Sequence, residues 1–423
     1  MRRIIVNANI ITPLRVIPNG AVLFIDGRIG GVYEAAPAGL SGVEAFDAKG
    51  LYASPGFIDG HVHGGGGYDF MDGTAADVEG ACKAHMAHGT TTIVPTTAAC
   101  PPDELFAMLG ACREAMRTMT DGPNIPGVHL EGSYLNIAQA GAQNPKYIVN
   151  PDLDEYMRIL DGYPEIIRWS AAPELPGGLA LGRELRRRGI LCSIAHSDAI
   201  WEEALEAYAN GYTHATHLYS GMSMTRRIQA YRHGGVVEAA YLIDGMSVEL
   251  IADGKHLPQE LLRLAVKIKG YDKVMLVTDA MRMAGVETGA DASANAGTDT
   301  DADAKASSGA GSGAGAGKSG WILGSKKSAV GCIIEDGVAK TLDRQAFAGS
   351  IATADRLMRT MANLADVPLR EAVRMMTLTP AAIMGLKTKG AISENMDADV
   401  VLFDAGINVK AVFVGGRLMI DNT

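Results

Sequence analysis

The chain has 423 residues, 47% of them hydrophobic and 20% charged, which is ample material for a core and unlike a disordered or fibrous composition. Its 38 basic and 48 acidic residues leave a net charge of −10, which argues against nucleic acid or an anionic membrane as the main partner. Five cysteines without C-x-x-C spacing point neither to a disulfide framework nor to a thiolate zinc site. No apolar run reaches the roughly 20 residues of a membrane span, so a cytoplasmic protein is the expectation.

The first fifty residues read as short strands and turns: 4–11 is β-branched, and 21–25 leads into Asp26-Gly27, a hairpin signal. Residues 399–403, 409–414 and 417–420 read the same way at the other end. The two ends, 1–54 and 390–423, are expected to meet in one small β-sandwich that the middle interrupts. From 55 to 389, strand-like runs (91–95, 127–130, 168–171, 191–195, 211–216, 247–251 and 273–277) alternate with helix-like stretches (103–119, 179–188, 200–209 and 258–268). That repeat predicts a parallel sheet closed or flanked by helices, and its length suits a (β/α)8 barrel of about 250 residues. Residues 288–320 contain almost only Gly, Ala, Ser, Thr, Asp and Lys, which reads as a flexible insertion in a surface loop.

The strongest local signal is Asp59-Gly60-His61-Val62-His63 followed by four glycines. Strand period two sends His61 and His63 to the same side, where two imidazoles can share one ion, and the glycines would let backbone come close to a metal or ligand. Glu131 ends a second run, His196 a third, His214 and His217 flank the end of a fourth, and Asp279 ends a fifth. Imidazole and carboxylate at strand ends suit Zn2+, Fe2+ or Mn2+, and barrel sites sit at those ends. His129 and His214 read as core or supporting residues rather than ligands.

In the order HxH, HLEG, AHS, THxxHLY and VTDA, the chain resembles the amidohydrolase superfamily and, within it, the N-acetylglucosamine-6-phosphate deacetylase family, over nearly its whole length. The glutamate of HLEG, standing where most two-metal amidohydrolases use a carbamylated lysine, narrows the likeness. Residues 251–256 and 347–350 resemble two further family motifs. The resemblance implies one or two divalent ions: Glu131, His196 and His217 hold the main one, His61 and His63 complete a second site, Glu131 bridges and Asp279 contributes. It implies hydrolysis of the acetamide of a small amino-sugar phosphate by a metal-activated water, with Asp279 as base and then acid.

Substrate contacts implied by the resemblance fall on Gln143, Ser220, Gly221, Arg226, Arg227 and His256, with an arginine that can reach across a homodimer. Two departures stand out. Gln143 replaces the histidine that many members have, and HLYNAM has become His217-Leu218-Tyr219-Ser220-Gly221-Met222, which leaves the backbone N–H groups of Ser220 and Gly221 to meet an anion. The competing readings are another amidohydrolase, acting on an unphosphorylated N-acetylhexosamine or a D-amino acid, and a catalytically silent binding protein.

Overall fold

The computed structural model describes residues 2–39, 42–286, 321–325 and 327–423. The 288–320 segment, expected to be a loop insertion, lies outside them.

Eight strands follow in chain order around a closed barrel: β1 (Phe57–Val62), β2 (Thr90–Pro95), β3 (Val128–Glu131), β4 (Ile166–Ala171), β5 (Leu191–Ile194), β6 (Tyr212–Ala215), β7 (Ser247–Ile251) and β8 (Val274–Val277). β3 to β8 pair consecutively and in parallel, and β1 pairs in parallel with β2. β2 meets β3 through the bridge between Thr96 and His129. The circle closes where Asp279 N–H donates to the His61 carbonyl and His63 N–H to that of Ala280, both at 2.9 Å. A helix follows each strand, from Ala75–Met86 after β1 to Ala354–Asn363 after β8, the (β/α)8 arrangement that the alternation predicts.

Burial explains the two kinds of segment. Every residue of β7 and β8 is buried, as a strand with helices outside and a filled barrel inside requires. Helix Leu153–Gly162 buries only Tyr156, Ile159 and Leu160, the single stripe of a surface helix. The seven barrel runs agree with expectation to within two residues, whereas the run 21–25 is the end of a longer strand, Val16–Ile25. The Ala75–Met86 helix, rich in Ala and Gly, and a three-stranded sheet of Trp321–Leu323, Val330–Glu335 and Val338–Thr341 carry no clear periodicity and were not legible in advance.

The termini build one eight-stranded sheet, joined by antiparallel pairing of Tyr52–Pro55 with Val400–Phe403. Asp26 and Gly27 take φ of 48° and 83°, the turn that an Asp-Gly pair favours. Period two gives the C-terminal strands two apolar faces. Val400, Leu402, Ala411 and Phe413 fill the core of this terminal sheet, while Val401, Phe403, Val412 and Val414 pack into the barrel's own core. Phe403 is fully buried, stacked on Tyr52 at 5.7 Å and tilted against Phe57 of β1 at 6.3 Å.

Phe403→Ala is therefore expected to lower the free energy of unfolding by about 3–5 kcal/mol, read from denaturant midpoints at constant slope. A loss below about 1 kcal/mol would show that the terminal sheet does not support β1.

Candidate active site

Closing the barrel brings six of the predicted residues together at the C-terminal ends of its strands. His61 and His63 leave β1, Glu131 ends β3, and His196, His217 and Asp279 each sit two residues beyond β5, β6 and β8. Those last three hold left-handed backbones, with φ of 44°, 30° and 46°, a costly conformation that clusters at functional sites. The six form two groups: His61, His63 and Asp279, and Glu131, His196 and His217.

In the first group, His61 Nε2 lies 3.3 Å from His63 Nε2 and 3.5 Å from Asp279 Oδ1. His63 Nε2 lies 3.1 Å from Asp279 Oδ1. Glu131 Oε2 joins them, 3.4 and 3.3 Å from the two imidazole nitrogens. Four donors placed about 2.0–2.2 Å from one ion in a tetrahedron stand about 3.3–3.6 Å apart, so the spacing fits a divalent cation. The tautomers fit too. His61 Nδ1 is 2.7 Å from Glu249 Oε1; a carboxylate only accepts, so the proton sits on Nδ1 and the Nε2 lone pair faces the group.

The second group uses the other oxygen of the same carboxylate. Glu131 Oε1 is 2.9 Å from His217 Nε2 and 3.5 Å from His196 Nε2. His196 Nδ1–H donates to the Gln139 carbonyl at 2.8 Å, which turns its Nε2 inward. Burial opposes ionisation of Glu131, but His61, His196 and His217 outweigh it and hold the carboxyl well below its usual range. For Asp279, His61 and His63 likewise overcome burial and lower its pKa. Burial also opposes charge on His63, yet Asp279 and Glu131 push it up to about 9.

The groups face a cavity of about 500 Å³ whose lining includes Gln143, Ser220, Gly221, His256, Lys340, Arg344 and Phe347. His256 pairs with Asp253 at 2.9 Å, and Asp253 also accepts the backbone N–H groups of Lys255 and His256, so the ADGKH run is a turn that aims one ring. Gly349 lies so close to the Asp279 carbonyl that a Cβ would approach to 2.7 Å. Ser350 donates its N–H to that carbonyl at 2.7 Å and its hydroxyl to the Thr278 carbonyl at 2.6 Å. The 347–350 motif thus brackets Asp279.

Several expectations change. The glycines at 64–67 do not line the cavity: Gly64, Gly66 and Gly67 donate N–H groups to Ala280, Ala284 and Arg282, and their small size lets the loop after β1 close on the loop after β8. The Ser220 N–H is spent on the His217 carbonyl, so it does not await an anion. Gln143 lines the cavity with its amide engaged, donating to Glu131 Oε2 at 3.0 Å and accepting from Ala99 N–H at 2.7 Å. Arg226 is bound to Asp198 at 2.6 Å, Arg227 is exposed on a hairpin, and neither is among the residues lining this chain's cavity.

His129 and His214 belong to neither group, although His129 packs edge-on against His61. His129 bonds to Ser170 and His214 to Ser247, both at 2.7 Å, and burial lowers both pKa values, that of His214 to about 4. Arg168 and Glu249, fully buried below the groups, were missed; a charge at the start of the run 168–171 and one in the middle of the run 247–251 were the available signals.

The amidohydrolase family model matches residues 52–419. An N-acetylglucosamine-6-phosphate deacetylase of Lysinibacillus sphaericus is 30% identical over 397 residues, covering 93% of this chain and 92% of that protein. An N-acetylgalactosamine-6-phosphate deacetylase of Escherichia coli O157:H7 is 28% identical over 367 residues, 86% of each chain. Among solved structures, a mutant N-acetyl-D-glucosamine-6-phosphate deacetylase of Mycobacterium smegmatis, in complex with N-acetyl-D-glucosamine-6-phosphate, superposes with a TM-score of 0.82 at 26% identity, covering 99% of both chains. With a matching model across most of its length and these relatives, the chain belongs to the amidohydrolase family.

Proposed function

We propose that the protein hydrolyses the acetamide of an N-acetylated amino-sugar 6-phosphate, N-acetylglucosamine 6-phosphate foremost, to acetate and the free amine. The observation that carries this reading is the Glu131 carboxylate, whose two oxygens serve two convergent donor groups at the floor of a sugar-sized cavity beside an ionised Asp279. The relatives acting on such substrates support it. The mixed nitrogen and oxygen donors suit Zn2+, Fe2+ or Mn2+, one ion on Glu131, His196 and His217 and a second on His61, His63, Glu131 and Asp279. When bound, a divalent ion supplies Lewis acidity, withdrawing charge from an amide carbonyl and acidifying water.

The chain's own groups do the rest. Asp279 accepts a proton from the attacking water as the new C–O bond forms, then returns it to the nitrogen as the C–N bond breaks, since an amine anion is too basic to leave unprotonated. Its backbone, tied to His61 and Ser350, keeps the carboxylate at the rim. His256, oriented by Asp253, offers Nε2 to the sugar phosphate. Gln143 and the backbone of Ser220 and Gly221 shape the wall on which the substrate lies. Lys340 and Arg344 line the cavity while paired with the surface carboxylates Asp336 and Glu335 at 2.8 and 2.6 Å, exposed partners that a phosphate would replace.

A homodimer is part of this proposal: Ile228 and Tyr231 on the hairpin that carries Arg226 and Arg227, with Met224 and Leu242 nearby in sequence, expose apolar surface suited to a second copy, whose cavity the arginines would reach. A reducing, cytoplasmic setting is supported by five free, buried cysteines. Among the described residues no helix is long and apolar enough to cross a membrane.

Asp279→Asn is expected to lower kcat about 10²–10⁴-fold while the ion on Glu131, His196 and His217 is retained, measured by turnover alongside elemental analysis; near wild-type kcat would remove Asp279 from the proton path. For specificity, kcat/KM should be at least about 100-fold greater for N-acetylglucosamine 6-phosphate than for N-acetylglucosamine, a preference of roughly two charge-assisted hydrogen bonds. If the free sugar wins, the phosphate assignment fails.

A further inference from the structure

Beneath the rim, Arg168 of β4 and Glu249 of β7 form an ion pair at 2.7 Å with no exposed surface on either side chain. Replacing such a pair by apolar residues of similar volume is often neutral or stabilising, so stability does not account for it. Its contacts do. Glu249 Oε1 accepts both the Nδ1–H of His61 at 2.7 Å and the backbone N–H of His217 at 2.8 Å. The Arg168 guanidinium donates to the carbonyl of Gly60 at 3.1 Å and the hydroxyl of Thr216 at 3.0 Å, the residues immediately before those two histidines. The pair therefore grips the ring of one imidazole and the backbone leading to both. It secures His217 in its left-handed conformation and reaches one member of each donor group, yet Glu249 and Arg168 are absent from the cavity lining.

We propose that Glu249, anchored by Arg168, is a positioning residue that fixes the His61 tautomer and makes the His61 group competent to hold its ion. This rests on the two-ion reading of the site. Of its two holds, that on His61 orients a donor atom directly, whereas that on His217 acts only through backbone, so loss of Glu249 weakens the His61 group first.

The test is Mn2+ binding to metal-stripped protein, followed by calorimetry and elemental analysis. Wild type is expected to take up two ions per chain. The Arg168→Met/Glu249→Met variant removes both charges together, avoiding an unpaired buried ion. It is expected to melt cooperatively, to keep one ion at near wild-type affinity and to bind the other about 10–100-fold more weakly. Arg168→Met/Glu249→Gln restores an acceptor for His61 without charge and should recover most of that loss. A folded Met/Met variant that binds both ions as wild type does, or a Gln variant that recovers nothing, overturns the proposal. One ion or none in wild type, unchanged by His61→Ala, overturns the two-ion reading and this proposal with it. A measurement on wild type needs no variant: nitrogen-15 NMR should place the His61 proton on Nδ1, and a proton on Nε2 in the metal-loaded protein would refute the role given to Glu249.

Discussion

The two oxygens of one carboxylate face different sets of imidazoles, and most of the molecule serves that arrangement. Glu131 Oε2 points toward His61 and His63, Oε1 toward His196 and His217. Donor atoms this close aim their lone pairs at the same points, and burial weakens the screening between them. They stay together because they are attached to five strands whose ends the barrel holds in place.

The barrel interior carries the corresponding cost. Interiors of this fold are usually packed with branched apolar side chains, yet here the layer below the site is polar. Asp59 accepts the Thr278 hydroxyl at 2.5 Å across the β1–β8 seam, and burial raises its carboxyl to about 6. His129 lies edge-on to His61 at 4.7 Å between ring centres and meets Ser170, which in turn meets Thr216 at 2.8 Å. Arg168 and Glu249 complete the layer. Such a network rigidifies what stands on it where its members are hydrogen-bonded; Glu249 Oε2 and Arg168 Nε have no hydrogen-bond partner among the described residues, and the pair there is held by charge at 2.7 Å. The left-handed backbones of His196, His217 and Asp279 have the same logic: strain tolerated because the surroundings determine it.

The fold was legible where burial follows periodicity. The run 274–277 is a continuous apolar segment because both its faces are covered, and the alternating halves of Val400–Phe403 belong to two cores. Helix Ala75–Met86 was not legible because Ala and Gly supply little contrast between faces. The convergence of the candidate residues His61, His63, Glu131, His196, His217 and Asp279 was legible because chemistry-bearing types recur at strand ends. Their supports were not: Glu249 and Arg168 lie within apolar runs, 81 residues of chain apart, and only the ring of strands makes them neighbours. Nor does sequence reveal that the Ser220 N–H is already engaged, or that the glycines after His63 serve loop closure.

The sharing of Glu131 between two ions is the central claim, and anomalous diffraction from crystals grown with Mn2+ tests it most directly. Two peaks are expected, one on either side of the Glu131 carboxylate, each about 2.0–2.3 Å from a carboxylate oxygen and from the Nε2 atoms of its own histidine pair. A single peak, or none at Glu131, would contradict it.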